Sequence, residues 1–232
     1  MSSGNKSHIE QQFEPQYLMH HVYLVRHGDV ALSSDICYGQ LDCAVASSFD
    51  VDLAKLVDYF QLKLVDKTKG SGESKGLKMI SSPLTRCYQL ASGLSKGLNK
   101  RGNLALNDDF KEIHFGRWEG LTWQSIGQNK IEEWNENPFD YQFPDGESAR
   151  SFDRRVVAAW KQLNNELAEL KQPQDIIIVC HAGVIRSIVS YFLHIPLEQS
   201  LSVTIDKMSV SCINVVPKCS SLSRCVGLNQ PI

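Results

Sequence analysis

The stretch DIIIVCHAG at residues 175–183 decides the fold. Its apolar run shows no polar alternation, which is typical of a strand buried on both faces of a parallel sheet. His181 follows that strand directly, and a helix is predicted from about 184 to 194. In sheets of this kind, ligands bind beyond the carboxyl ends of the strands. The stretch therefore predicts a functional position at that edge of the sheet.

A second junction of the same kind lies near the start of the chain. Residues 18–25, LMHHVYLV, predict a strand, and Arg26, His27 and Gly28 follow it at once. A basic pair that ends an apolar strand gives a second cationic position at the carboxyl edge.

The third junction follows a predicted strand at 77–81, LKMIS. Ser82 suits the N-cap of a helix, and Pro83 suits its first position. Arg86 would then lie in the first turn of that helix.

The rest of the chain alternates in the same way. Helices are predicted over 49–65 and 122–136 and after Ser148, and strands over 104–106 and 209–216. Loops are predicted over 67–76 and 137–147. Strands that alternate with helices predict one α/β domain with a mostly parallel sheet covered on both faces.

Length and charge limit the possible classes of protein. The chain has 232 residues and no clear internal linker, so we expect one domain over 18–217, with a flexible leader at 1–17 and a tail at 218–232. Lys and Arg number 24 against 26 Asp and Glu, which argues against a nucleic-acid or anionic-membrane binder. No stretch is long and apolar enough to span a membrane.

The termini and cysteines bear on location. The first seventeen residues lack an apolar segment of the signal-peptide type, so we expect a cytoplasmic protein. The seven cysteines are odd in number and form no C-x-x-C pair, which predicts free thiols and neither a zinc site nor another bound metal. No cofactor is expected.

The three junctions bring four cationic or titratable side chains together if their strands are parallel neighbours. Arg26, His27, Arg86 and His181 would then surround a tetrahedral anion, because guanidinium groups suit phosphate oxygens and helix N-termini add free N–H groups. A neutral imidazole in such a pocket can attack phosphorus. Glu112, in a loop segment, is the candidate acid for the leaving alkoxide.

Each of these residues also has an ordinary structural interpretation. A histidine after a strand can be a core residue, an arginine on a helix is usually solvated, and Glu112 alone would be a surface carboxylate. The joint occurrence at one predicted edge favours the catalytic interpretation. The other histidines lack this context and are predicted to be structural: His8, His20, His21, His114 and His194.

Five segments follow one another along the chain: LVRHGD at 24–29, SSPLTRC at 81–87, KEIHFGRWEG at 111–120, FPDGES at 143–148 and VCHAGVIR at 179–186. Together they resemble the histidine phosphatase superfamily, also called phosphoglycerate mutase-like. Within that superfamily, the segments YGQLD at 38–42, FGRWEG at 115–120 and PDGES at 144–148 are most similar to alpha-ribazole phosphatases.

The resemblance implies a three-layer α/β/α sandwich and a phosphohistidine intermediate on His27. It places Arg26, Arg86 and His181 in the phosphate pocket, with Glu112 as the proton donor. Relatives whose donor is an Asp carry it directly after the second histidine, where this chain has Ala182.

The same resemblance adds three substrate-binding positions, namely Ser33, Gly39 and Ala182. Ser33 stands where many relatives carry Asn, and CAVAS at 43–47 replaces the usual loop sequence. The short separation between Glu112 and His181 favours a phosphatase over a mutase.

Six aromatic residues lie between Glu112 and the next helix. They can stack on a flat base such as the dimethylbenzimidazole of alpha-ribazole phosphate, or form the core of a helical and loop cap at about 111–147. The six are Trp118, Trp123, Trp134, Phe139, Tyr141 and Phe143.

The sequence therefore predicts a phosphatase of a small phosphomonoester. The expected reaction is hydrolysis of alpha-ribazole-5′-phosphate in cobalamin biosynthesis. The alternatives are a broad-specificity histidine phosphatase, a phosphoglycerate mutase-type enzyme and a non-catalytic phosphate-binding regulator. The oligomeric state is left open.

Overall fold

A computed structural model describes residues 17–65, 76–99 and 104–232. The leader predicted at 1–17 therefore lies outside the described residues except for Tyr17, and so does nearly all of the loop predicted at 67–76. No helix in the described part of the chain is long and apolar enough to cross a membrane.

The described residues contain one six-stranded sheet in the order β3-β2-β4-β1-β5-β6. Its strands are β1 (His20–Arg26), β2 (Gly76–Ser81), β3 (Leu104–Leu106), β4 (Gln174–Cys180), β5 (Val210–Val215) and β6 (Arg224–Gln230). The first four form a parallel block, whereas β5 runs antiparallel to both β1 and β6. The predicted mostly parallel sheet is confirmed.

Helices cover both faces of the sheet. The main helices are α1 (Phe49–Val65), α2 (Thr85–Gly97), α5 (Ala149–Ala168) and α6 (Ala182–Phe192), and the short α3 (Trp123–Ile126) and α4 (Gln128–Glu136) lie between α2 and α5 in the chain. Alternate residues of β4 point to opposite sides: Ile176 and Ile178 pack in the cluster with α5 and α6, and Ile177 and Val179 in the cluster with α1 and α2. The α/β/α sandwich implied by the resemblance is confirmed.

A third apolar cluster lies in the predicted cap. Cys37, Trp118, Ile126 and Phe143 are buried together there.

The single helix predicted over 122–136 is wrong, because Gly127 adopts a φ of +90° and separates α3 from α4. A left-handed φ of this kind suits glycine and interrupts a helix.

The predicted start of α2 is also wrong. The helix begins at Thr85, not at Pro83, and the Ser82 side chain does not cap it. The cap comes instead from a distant segment: Thr85 donates from its backbone N and from Oγ1 to the Asp42 carboxylate, at 2.8 and 2.7 Å.

Residues 218–232, which the sequence separated from the domain as a tail, contain the edge strand β6. Its burial alternates between exposed and half-buried positions, and it pairs with β5. The sheet therefore continues past the boundary predicted at 217. All seven cysteines lie within the described residues as free thiols, as predicted.

Candidate active site

The carboxyl edge of the parallel strands brings the predicted residues together. His27 follows β1 and His181 follows β4, and these two strands are hydrogen-bonded neighbours. The two imidazole rings lie 5.1 Å apart between centroids, with their planes at 69°. The convergence expected from the three junctions is therefore observed for both histidines.

His27 is held in a defined tautomer. Its Nδ1 lies 2.7 Å from the Gly28 carbonyl oxygen, so Nδ1 carries the proton that is donated to that oxygen and Nε2 keeps a lone pair. Burial, and then the charge of Arg86, lowers the pKa of His27 to about 3, with a smaller opposing contribution from the Gly28 hydrogen bond. The ring is therefore neutral at neutral pH and can act as a nucleophile.

His181 is completely buried, and its Nε2 lies 2.9 Å from the Ser82 hydroxyl oxygen. Burial, followed by His27 and Arg86, lowers its pKa well below the usual value. Cys87 lies on the same side, with its Sγ 3.5 Å from Nε2. Ser82 is a site residue that the sequence interpretation missed, because it was assigned to a helix cap.

Arg86 is buried with a free positive charge. Its guanidinium donates to the Gly39 carbonyl oxygen at 2.6 Å and to the Leu41 carbonyl oxygen at 3.1 Å, and its Nη1 lies 3.7 Å from Cys43 Sγ. No carboxylate of the described residues forms an ion pair with it, and its Nε has no partner. A buried charge without a counter-ion is costly, so this position suits an anionic ligand.

Arg26 provides the second such charge. Its Nη1 donates to the Ile205 carbonyl oxygen at 2.6 Å, and its buried Nε is without a partner among the described residues. Its charge contributes to the lowered pKa of both His27 and His181. The predicted set of two imidazoles and two guanidiniums therefore forms one cationic centre.

Glu112 lies against the first turn of α6. Its Oε2 accepts a hydrogen bond from Gly183 N, and its Oε1 accepts one from Ile113 N, both at 3.2 Å. Gln40 Nε2 donates to the Glu112 carbonyl oxygen at 2.9 Å. The carboxyl thereby lies against the backbone of Gly183, two residues after His181 in the chain, and its role as the proton donor stays a prediction.

The three further predicted positions differ in outcome. Gly39 holds Arg86 through its carbonyl oxygen, and Ala182 begins α6 and lines the cavity described below. Ser33 is exposed, and its carbonyl oxygen accepts from Ile36 N in a tight turn. Among the described residues, no side-chain hydrogen bond joins Ser33 to the cationic centre, and its role as a binding residue stays a prediction.

A cavity of about 360 Å³ adjoins Glu112 and the start of α6. Trp123, Trp134, Phe139 and Phe143 line it, together with Ser34. Trp118 and Tyr141 pack behind these rings and do not line the cavity. The aromatic residues therefore serve in part as the core of the cap and in part as the wall of a pocket.

One cation projects into this apolar cavity. Arg186 is half-buried, and its Nε donates to the Val203 carbonyl oxygen at 3.2 Å. Burial lowers its pKa, and the nearby Glu112 charge opposes that effect. It forms no ion pair within the described residues. The sequence interpretation did not single out Arg186, although VCHAGVIR contains it.

His20 and His21 lie at the start of β1, away from the cationic centre. His21 pairs with Asp175 at 2.8 Å at the opposite end of the sheet, and His20 Nδ1 accepts from Gln174 N at 3.2 Å. His8 lies outside the described residues. No group of three or more His, Cys, Asp or Glu side chains within the described ranges has an arrangement that could hold a metal ion.

Two neutral imidazoles lie at the edge of a parallel sheet beside two guanidiniums that have no carboxylate partner in the described part of the chain, an arrangement typical of a phosphoryl-transfer enzyme. The model of the histidine phosphatase superfamily (branch 1) matches residues 22–226, so the chain belongs to that superfamily. The family predicted from the sequence and its assignment as a histidine phosphatase are thereby confirmed.

Two of the similar proteins carry phosphatase names. The chain is 26% identical over 208 residues to "Putative phosphoserine phosphatase 2" of Hydrogenobacter thermophilus, covering 88% of this chain and 94% of that protein. It is 27% identical to 6-phosphofructo-2-kinase/fructose-2,6-bisphosphatase 1 of Bos taurus over 74% of this chain. The chain spans only 32% of that second, longer relative.

Solved structures show the same fold at low identity. A mycobacterial glucosyl-3-phosphoglycerate phosphatase gives a TM-score of 0.72 at 18% identity, covering 91% of this chain and 99% of the other. The alpha-ribazole phosphatase of Shigella flexneri gives 0.72 at 20% identity, covering 90% and 96%. At these identities the likeness supports the fold alone.

Proposed function

We propose that this protein hydrolyses small phosphomonoesters by passing the phosphoryl group through His27. The observation that carries the proposal is the cationic centre, in which Arg26 and Arg86 have no carboxylate partner within the described residues and lie beside two neutral imidazoles. Such a centre is built for the oxygens of a phosphate ester.

In the first step, the lone pair of His27 Nε2 attacks phosphorus and the bond from phosphorus to the ester oxygen breaks. Glu112 gives its proton to the departing oxygen, which leaves as an alcohol. Arg26 and Arg86 stabilise the negative charge on the equatorial oxygens. The products are a phosphohistidine and a Glu112 carboxylate.

In the second step, a water molecule attacks the phosphohistidine. Glu112 accepts the proton of that water, and the electron pair of the phosphorus–nitrogen bond returns to Nε2. Inorganic phosphate leaves, and both side chains return to their starting states. No step in this scheme calls for a metal ion, so we expect hydrolysis to be insensitive to chelators.

Alpha-ribazole-5′-phosphate is the first candidate substrate. The resemblance of the YGQLD segment supports it, as does the aromatic wall of the cavity, because flat rings stack well on the base of that nucleotide. Seven free thiols favour a reducing compartment, so we place the protein in the cytoplasm.

Arg186 favours a second candidate class, in which the alcohol carries a carboxylate. Arg186 forms no ion pair among the described residues, and it lies in a cavity lined by aromatic side chains and by Glu112. Its guanidinium suits a carboxylate. Phosphoserine is the simplest member of this class. The name of the Hydrogenobacter relative supports including it.

The test is a panel of substrates ranked by kcat/KM, containing alpha-ribazole-5′-phosphate, phosphoserine, phosphoglycerates and an aryl phosphate. We expect phosphate release that EDTA leaves unchanged and that His27→Ala abolishes. Arg186→Met should lower turnover of phosphoserine selectively if the acidic class is correct, whereas Arg154→Met is the matched exposed control. Interconversion of phosphoglycerates would indicate a mutase, and phosphate binding without turnover would indicate a regulator.

A further inference from the structure

We propose that Gly183 is a positioning residue for the proton donor. The missing side chain at this position leaves the space in which the Glu112 carboxyl lies against the first turn of α6. This inference rests on the proposed function, in which Glu112 donates the proton to the leaving group.

The Glu112 carboxyl lies too close to Gly183 to leave room for any side chain at position 183. A Cβ built on Gly183 would lie 2.3 Å from Glu112 Oε1 and 3.0 Å from Phe152 Cζ. Carbon and oxygen atoms that are not bonded do not approach this closely, so the carboxyl would have to move. That movement would break the hydrogen bond from Gly183 N to Oε2.

The backbone does not itself require glycine here. Gly183 is the second residue of α6 and does not have a left-handed φ. Alanine is preferred over glycine within helices, so stability alone would favour alanine. The reason for glycine at this position is therefore the space that the Glu112 carboxyl occupies, which gives the shortest contact, together with the edge of the Phe152 ring.

The main chain of the donor segment cannot easily follow a displaced carboxyl. Arg155 Nη1 donates to the Asp109 and Lys111 carbonyl oxygens at 2.8 and 3.2 Å, and its Nη2 donates to Glu147 at 2.7 Å. Glu147 in turn accepts from His114 N at 2.9 Å. With both flanks of Glu112 fixed, a side chain at 183 displaces the carboxyl relative to the reacting centre.

A displaced proton donor has a specific kinetic signature. Alkyl esters release a strongly basic alkoxide and depend on general-acid catalysis, whereas a nitrophenyl ester releases a stable anion and depends on it little. A general loss of folding or of phosphate binding would lower both rates alike. The ratio of the two rates therefore reports on Glu112 and not on overall integrity.

The experiment compares Gly183→Ala with Glu112→Gln and with the double variant, using glycerol phosphate and p-nitrophenyl phosphate. In Gly183→Ala we expect kcat/KM for glycerol phosphate to fall roughly 100-fold and that for p-nitrophenyl phosphate less than about threefold. The double variant should be no slower than Glu112→Gln, because both changes remove one function. Gly76→Ala, at an exposed strand end, is the matched control.

Four results would overturn the inference. Equal losses on both esters in Gly183→Ala would mean a structural role, and additive losses in the double variant would mean that Gly183 acts independently of Glu112. If Glu112→Gln lowered kcat/KM equally for both esters, Glu112 would not be the proton donor, and the inference about Gly183 would be wrong as well. A selective effect in Glu112→Gln but none in Gly183→Ala would reject only the role of Gly183.

Discussion

The Ser82 hydroxyl oxygen lies 2.9 Å from Nε2 of His181, and both side chains are completely inaccessible to solvent. A buried imidazole needs such a partner, because an unpaired ring nitrogen would lose its hydrogen bond to water without replacement. The hydrogen bond also fixes the ring orientation of His181 beside His27. Ser82 therefore helps to hold the His181 ring in place in the cationic centre.

We expect Ser82→Ala to lower kcat/KM about tenfold, equivalent to roughly 1.4 kcal/mol, because one buried hydrogen bond to His181 is lost. Steady-state kinetics with an aryl phosphate will measure this loss. Ser190→Ala is the matched control, since the Ser190 hydroxyl is buried without a described partner and its removal should leave turnover unchanged. A fully active Ser82→Ala enzyme would show that turnover does not depend on the hydrogen bond between Ser82 and His181.

Inorganic phosphate should stabilise the folded protein through Arg86. A ligand that binds only the native state adds about 2.7 kcal/mol at 100 times its Kd, so Tm should rise with phosphate concentration. In Arg86→Met this rise should disappear, because the buried charge that binds the anion is gone. Arg117→Met, which removes an exposed ion pair with Asp145, should keep it. Persistence of the full rise in Arg86→Met would contradict the proposed phosphate pocket.

The buried histidines predict how stability depends on pH. Burial and the Arg86 charge lower the pKa of His27 to about 3, and the pKa of His181 is also lowered, whereas an unfolded histidine titrates near 6.5. The unfolded state therefore binds more protons below pH 6.5, and stability falls as the pH drops from there toward the folded pKa. Between pH 7.5 and 5.5 His27 alone should cost roughly 1.4 kcal/mol of unfolding free energy. His181 adds to this loss in the same direction, and so does His20, whose pKa is also lowered by burial.

Urea unfolding of the wild type and of His27→Gln at these two pH values tests this expectation. The variant should lose less stability than the wild type on acidification, because one of the titrating rings is absent. Ile178→Val, a core change that costs about 1 kcal/mol, should lower stability equally at both pH values. An unchanged pH dependence in His27→Gln would contradict the lowered pKa of that residue.

The sequence was informative wherever a local pattern determines the structure. The apolar run at 175–180 predicts β4 because it is short and rich in β-branched residues, as strands buried on both faces are. The positions of His27 and His181 follow from it, since neighbouring parallel strands end at one edge. Arg86 could be placed there for the same reason.

The sequence-based predictions were wrong where contacts between distant segments determine the local structure. Ser82 and Pro83 match the pattern of a helix start, but the Asp42 carboxylate, 43 residues before Thr85, caps α2 and leaves Ser82 to contact His181. Strand β6 is a half-exposed edge strand whose pairing with β5 determines it more than its own composition does. The contact between Glu112 and Gly183 likewise joins residues far apart in the chain.

The most direct test of the account is a rapid-quench experiment in which the enzyme reacts with a phosphomonoester labelled in its phosphoryl group. We predict a burst of protein-bound phosphate that is labile in acid, stable in base and located on His27 by mass spectrometry of the digested protein. The same burst should be absent from His27→Ala. Turnover in the wild type without any bound phosphate on His27, or normal turnover in His27→Ala, would contradict the central claim.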